Sequence, residues 1–409
     1  MIVQRLDLGL EVTVRYDMVI VGAGPAGLSF ACLASEHGLK IALIDQQGEE
    51  LLAAPPSDGR DIALTHRSVQ ILKNIGVWNS IAAEEIAPIE RARVKNADSS
   101  CVLNFDRERT ERKALGYLVS NQIIRRTLYQ AAKKRKNVEL IAGTGASDLD
   151  LGEPLARISL SSGEMLEAAL VVAADSRFSE MRRKAGIGAE MRDFGHVCIV
   201  CRMKHEKPHG GTAYEWFDTD KTLAVLPLNN NESSIVITQP AGSAARAMDI
   251  PGGEYAADVE RRFAGQWGAM ELSGERHAYP LVATYADCFC ARRFTLIGDA
   301  AVGMHPVTAH GFNFGLRGAD TLAAKVTAAA QAALDIGAVS VLEGYDREHR
   351  KATYPLYIAT NALVRLYTNN HAVARIARSL VLLVGTGLSP IKDYMLHKLT
   401  EVDEKHASI

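Results

Sequence analysis

A surplus of charge of either sign is missing from this 409-residue chain: 46 Lys and Arg stand against 48 Asp and Glu, a net charge of −2. Holding a polyanion by counterion release needs a basic excess, so the balance argues against a nucleic-acid partner. Also missing is any uncharged apolar run of the roughly 18 residues that a membrane-crossing helix requires. The opening MIVQRLDLGLEVTV contains Arg5, Asp7 and Glu11 and so lacks the unbroken apolar core of a signal peptide. Cysteine is sparse: the six residues, at 32, 101, 198, 201, 288 and 290, are scattered and form no disulfide framework. Cys198 and Cys201 have CxxC spacing, but they lie in HVCIVCRMK, which alternates like a strand. There, residues three apart face opposite sides of a sheet, which is poor geometry for one metal ion, and no metal site is expected. Reduced thiols point to a cytoplasmic protein. The three tryptophans, Trp78, Trp216 and Trp267, are isolated from one another.

What is present is ordinary for a soluble globular protein: 47% hydrophobic and 23% charged residues. The length exceeds what one core supports and implies two domains with a smaller third unit. YDMVIVGAGPAGLSFACLASEHGLKIALIDQ reads as a strand, a glycine turn, a helix closed by Gly38 and a second buried strand. That is a βαβ unit with parallel strands. Residues 117–190 continue in the same style. From 191 to 276 the texture changes to four strand candidates, HVCIVCRMKH, TAYEWFD, TLAVLPLN and SSIVITQP, joined by polar turns. The α/β texture returns at RFTLIGDAA, and TLAAKVTAAAQAALDI (321–336) predicts a helix with Gly337 as its stop.

The first glycine motif, Gly22-x-Gly24-x-x-Gly27, follows a strand, opens a helix and precedes Asp45 at the end of the next strand. Gly22 permits the tight turn, Gly24 leaves room for a pyrophosphate, and Gly27 lets helix and strand pack closely. The helix N-terminus offers unpaired N–H groups to phosphate, and Asp45 would accept ribose hydroxyls. The motif by itself does not separate NAD from FAD.

A second glycine-rich stretch, RRFTLIGDAAVGMHPVTAHGFNFGLRGADTLA, lies some 270 residues downstream. It resembles the flavin-contacting segment of FAD-dependent aromatic hydroxylases of the para-hydroxybenzoate hydroxylase type, nearest among them the ubiquinone-biosynthesis hydroxylases. The shared elements are Gly298, Asp299, Ala300, Ala301, His305, Pro306, Gly311, Asn313 and Gly315. GRDIALTHRSVQILKNIGVW looks like the family's arginine-bearing segment, with Arg60 at the position that reaches the flavin. GYLVSNQIIRRTL is similar to the family's helix start, where Asn121 and Arg125 would touch the dinucleotide. The tail NALVRLYTNNHAVARIARSLVLLVGTGLSPIKDYMLHKLT is similar as well. Two departures are visible: the family's Asp-Gly after LVVAAD is here Asp175-Ser176, and its Gly-Gln-Gly is here Ala309-His310-Gly311. The first implies a loop that tolerates a Cβ; the second bears on substrate choice.

The resemblance implies FAD as cofactor, held by Gly22, Gly24, Pro25, Ala26, Gly27, Asp45, Gln46, Arg60, Asn121, Arg125, Asp175, Gly298, Asp299, Gly311, Phe312 and Asn313. Arg60, His305, Pro306 and His310 are the residues expected at the reacting centre. For Asp299 a helix-capping role is the competing reading, and His305 and His310 could equally be satisfied core histidines. Trp216 and Phe217 read as core or pocket wall. Gly311 and Gly315 would let backbone N–H groups approach a flat ring. The implied fold is α/β: a Rossmann-like FAD-binding domain (15–77, 117–190 and 277–337), an inserted antiparallel-sheet substrate domain (78–116 and 191–276) and a C-terminal helical region (338–409). The implied activity is monooxygenation of a polyprenylated phenol or quinol in ubiquinone synthesis, with O2 as co-substrate. No second nicotinamide fold is evident, so NAD(P)H or another donor would bind transiently. Rival readings are a flavin halogenase (which lacks support without a Trp-x-Trp pair), a flavin-dependent reductase, a hydroxylase of another apolar aromatic and a non-catalytic FAD-binding subunit of a membrane-associated quinone-biosynthesis complex. RSLVLLVGTGLSPIK (378–392) is either a core helix or an attachment to the inner face of the membrane.

Overall fold

The computed structural model describes residues 14–96, 102–110, 112–218, 221–305 and 310–368. Pro306 and the segment 378–392 lie outside them. The architecture is α/β, with two eight-stranded sheets and a small three-stranded one.

The first sheet places Val14–Val21 at its centre, with Ile41–Asp45 and Val138–Ala142 on one side and Met165–Ala173 and Phe294–Leu296 on the other. These five strands run parallel. The apolar runs of the four inner strands are buried on both faces, as parallel strands covered by helices must be, while the edge strand Val138–Ala142 is half-buried. The helices Pro25–Ala34, Asn121–Lys133 and Gly311–Gln331 cover it, the first and last packed together. Because the strands are parallel, their carboxyl ends share one edge, and chain order reverses beside Val14–Val21. Residues far apart in sequence meet there.

The second sheet is built on two 17-residue strands, Ala189–His205 and Met270–Ala286, paired antiparallel. The four predicted strands are present, at Ala189–His205, Thr212–Asp218, Lys221–Pro227 and Glu232–Pro240. Met270–Ala286 was not expected, because its interior carries Gly274, Glu275, Arg276 and His277. The sheet is not wholly antiparallel either: Arg91–Asn96 pairs in parallel with Thr212–Asp218. Helix Gly252–Arg262 packs over one face, against Trp216, Phe263 and Trp267. Cys198 and Cys201 fall in separate apolar clusters on opposite faces, as the alternation predicts.

The helix expected over 321–336 starts earlier and stops earlier, spanning Gly311–Gln331. Ala333, at φ 54°, takes the left-handed position that ends it, with Leu334 N–H donating to the Ala329 carbonyl and Ala333 N–H to that of Ala330. Gly337 is needed for a different reason: a Cβ there would overlap the carbonyl oxygen of Ala169. A second long helix, Val339–Thr368, follows. Among the described residues no helix is long and apolar enough to cross a membrane.

Candidate FAD and substrate site

The glycines of the first motif divide by function. Gly22 has φ +109°, and a Cβ on it would come 2.5 Å from the Ala174 carbonyl oxygen. A Cβ on Gly27 would overlap the carbonyl oxygen of Gly22. Both positions hold backbone against backbone. Gly24 is extended, and a Cβ there would meet nothing within 4 Å. Its missing side chain therefore leaves open space above the turn. Pro25 supplies the first residue of helix Pro25–Ala34, which has neither a side-chain cap nor an acidic residue in its first turn. Its N-terminal N–H groups are thus left for an anion.

Around this turn stand the ends of the other parallel strands. Asp45 closes its strand with Oδ2 accepting from Ala23 N–H at 2.6 Å and Oδ1 from Gln47 N–H at 2.8 Å. Each oxygen keeps a further lone pair for a hydroxyl. Gln46 is exposed and lies against Gly145. Asp175 follows Met165–Ala173 beside Gly22; Oδ2 accepts from Glu180 N–H at 3.0 Å, while Oδ1 is buried with no hydrogen-bond partner. Ser176 adopts no left-handed backbone, so this loop does tolerate a Cβ.

Asp299 sits in the single turn Gly298–Ala300 after the fifth parallel strand. Its Oδ2 pairs with Arg177 Nη2 at 2.7 Å, and Arg177 Nη1 donates to the Val282 carbonyl at 2.9 Å. Arg182, 2% exposed, donates to the carbonyls of Ala300 (2.8 Å) and Arg177 (3.2 Å). These two arginines lock the distal loop to the Asp175 loop. The sequence reading missed both, although they stand within seven residues of Asp175 in DSRFSEMRR.

Gly298 (φ +61°) faces Ala26, and a Cβ on Gly315 would lie 3.4 Å from the Gly298 Cα. A Cβ there would make no more than close contact, so the start of the long helix lies directly against the Gly298 turn. At Gly311 a Cβ would make only ordinary contact with Met304, at 3.9 Å. Phe312 is half-buried against the main core. Asn313, 1% exposed, is turned into the protein: Oδ1 accepts from Thr65 N–H and Ser68 Oγ, and Nδ2 donates to the Ala63 carbonyl. It ties the start of the long helix to the strand after Arg60.

Arg60 forms the facing wall. Its Nη2 and Nε reach Asp58 Oδ2 at 2.6 and 3.0 Å, and Asn121 Nδ2 donates to the same oxygen at 2.7 Å. Burial opposes the Arg60 charge, but Asp58 and, more weakly, Tyr279 and Asp299 hold the guanidinium above its usual value. Burial alone would raise the Asp58 carboxyl; Arg60 and Asn121 keep it below the usual range. Tyr279 of the second sheet donates to the Asp58 carbonyl at 2.7 Å, with its ring 5.3 Å from the Arg60 guanidinium. Arg125 stands further out, on Gln47. His305, packed edge-on against Phe194 at 5.1 Å, is pushed down to about 4 by burial and then by His196, so it is neutral at pH 7. His310, 3% exposed, occupies the residue before the long helix, and its carbonyl accepts from Phe314 N–H. Trp216 is a core residue against Phe263 and Trp267; Phe217 faces the other way.

Open space at Gly24, an unpartnered buried carboxylate oxygen at Asp175 and the carboxylates of Asp45 and Asp299 at two further strand ends form a donor and acceptor set that fits a dinucleotide. Residues 15–354 match the family described as FAD binding domain. The chain is 42% identical over 400 residues to ubiquinone hydroxylase UbiM of Neisseria meningitidis, covering 97% of this chain and 87% of that protein. It is 33% identical to ubiquinone hydroxylase UbiL of Rhodospirillum rubrum, covering 94% and 89%. Among solved structures, p-nitrophenol 4-monooxygenase PnpA of Pseudomonas putida shares the fold, with TM-score 0.75 at 18% identity, covering 95% and 98% of the two chains. The chain belongs to this family of FAD-binding proteins, together with the ubiquinone hydroxylases. FAD is accordingly its cofactor.

Proposed function

We propose that this protein is an FAD-dependent monooxygenase that hydroxylates the ring of a polyprenylated phenol or quinol on the route to ubiquinone, with a reduced nicotinamide or another donor binding transiently. The observation that carries this is the meeting of Gly24, Asp45, Asp175 and Asp299 on one sheet edge, opposite Arg60 and a second sheet, in a chain whose relatives are named ubiquinone hydroxylases. FAD supplies the redox chemistry, passing the donor's electrons to O2 so that one oxygen atom enters the ring and the other leaves as water.

The chain's own residues bind and position. The N-terminus of Pro25–Ala34 takes the pyrophosphate, Asp45 the ribose, and Asp299 the hydroxyls nearer the ring system. The Arg177 pair presets the Asp299 carboxylate, and Arg182 holds its loop, so little reorganisation accompanies binding. Arg60, held by Asp58, places a fixed positive charge over the cleft, where charge that develops on reduction is stabilised. His305 adds none, being neutral. The flavin-side face of the second sheet covers the substrate and excludes water.

A prenyl tail contributes affinity at about 0.8 kcal/mol per buried CH2, roughly 3–4 kcal/mol per five-carbon unit. Such a substrate resides in a membrane, which puts the enzyme at the inner face. The test is to delete the gene and identify the quinone precursor that accumulates. A precursor lacking one ring hydroxyl, restored by the intact gene and not by a flavin-free variant, is expected. An unchanged quinone profile refutes the reading.

A further inference from the structure

One carboxyl group on the second sheet has no structural work to do. Glu215 lies in Thr212–Asp218 between Val94 and Ala224. The register continues from Ala224 to Val236, then Val200, then His277, so these residues form one row on one face. The neighbours of Glu215 along its strand, Tyr214 and Trp216, point to the opposite face, where Arg93 and Lys95 lie over their rings. Both cations are therefore on the wrong side to pair with Glu215.

The Glu215 face is the one the Arg60 loop sits on. A Cβ on Gly59 would come 2.5 Å from His277 Cδ2 and 3.2 Å from Val200 Cγ2, and Tyr279 bonds the Asp58 carbonyl. From Val200, beneath that loop, to Glu215 is three strand spacings, about 14 Å. The floor between is Val236 and Ala224, small and apolar. Val94, Glu215 and Val236 are half-buried, so solvent still reaches this face. Glu215 makes no hydrogen bond or ion pair with any described residue.

We infer that Glu215 binds the ring hydroxyl of the substrate, and so selects phenols over rings without a hydroxyl. This rests on the ring-hydroxylation reading above. An apolar floor the length of a ring and part of a tail, with Glu215 at one end and His277 and the Arg60 loop at the other, suits a neutral, apolar phenol held by its hydroxyl. Burial pushes the Glu215 carboxyl up to about 8, so near neutral pH it carries a proton and can donate as well as accept. The other titratable groups on this face are spent or distant. Arg202 is held by Asp61, and Tyr279 by Asp58; His277 is at the far end of the row. The Cys198 thiol is pushed up to about 12 by burial and stays neutral. A half-buried carboxyl with no partner contributes nothing to the fold and costs some desolvation, which is tolerated where a ligand uses it.

The test compares 2-prenylphenol with prenylbenzene, binding each to the flavin-loaded protein and following the flavin absorbance, with KM and kcat for the phenol alongside. The parent should bind the phenol about tenfold more tightly or better. Glu215→Ala and Glu215→Leu, the latter of similar volume, should lose that preference while keeping full flavin content and the parent melting temperature. Glu215→Gln, which still donates and accepts, should keep most of it. Retention of the full preference in the Ala or Leu variant overturns the inference and leaves the ring-hydroxylation reading standing. A parent that binds neither compound overturns that reading, and the inference with it.

Discussion

Replacing Gly24 and Gly27 separately should split flavin binding from folding. At Gly24 the backbone is extended (φ −73°, ψ 178°) and a Cβ meets nothing within 4 Å. A valine there stiffens the unfolded chain and weakens the helix start, opposing effects of about 0.5–1 kcal/mol each. The apoprotein's melting temperature should therefore move by no more than about 2–4 °C. Its methyl groups fill the space left for the pyrophosphate. Losing two charge-assisted hydrogen bonds of about 1.5–3 kcal/mol each weakens flavin by roughly 100-fold to 10,000-fold. At Gly27, by contrast, even alanine would overlap the Gly22 carbonyl oxygen, a backbone atom with no rotamer to escape into. Helix Pro25–Ala34 would have to move off the sheet, at about 3 kcal/mol or more. Melting curves of stripped apoproteins and titration with FAD measure both quantities. A Gly24→Val protein that binds FAD like the parent, or a Gly27→Ala apoprotein that melts like it, would refute this division of roles.

Asp299→Ala should purify largely colourless, since it removes the carboxylate and leaves Arg177 without its 2.7 Å partner; a protein as yellow as the parent would place the distal contact elsewhere. Acid should destabilise the fold through His349, which is 1% exposed, stacked on Tyr345 and pushed down to about 3 by burial and by Arg317 and Arg67. Its folded value lies below the unfolded one near 6.5. The unfolded chain thus gains a proton first, and stability falls by about 1.4 kcal/mol per pH unit from about 6.5 down towards 3. His349→Phe should flatten the fall in melting temperature between pH 7.5 and 5 by about half, leaving the comparable share of His305, whose folded value near 4 also lies below this window; identical slopes would exclude His349 as a cause.

Much of the cofactor half was legible in the sequence because its signals are local. Strand, glycine turn, helix, Gly38 at φ +76° and the second strand lie within about thirty residues, and each follows from side-chain periodicity and backbone freedom. The distal loop was legible only by resemblance, and its partners were not. Arg177 and Arg182 carry no periodic signal, and their bonds to Asp299 and Ala300 cross more than a hundred residues. The stop of the long helix was misplaced because a glycine marks either a left-handed turn or a close approach, and sequence alone does not say which. Gly337 proved to be the second kind and Ala333 took the first role.

The sequence by itself determined that two glycine turns would end parallel strands and that acidic residues would stand at their tips, since these depend on neighbours in the chain. Only the tertiary structure decided that Gly315 packs on Gly298, that Asn313 points inward to Thr65, and that Glu215 shares a face with the Arg60 loop. The physical reason is register: which face a strand residue presents, and to what, is fixed by pairing with strands a hundred residues away, and a one-residue slip would reverse it.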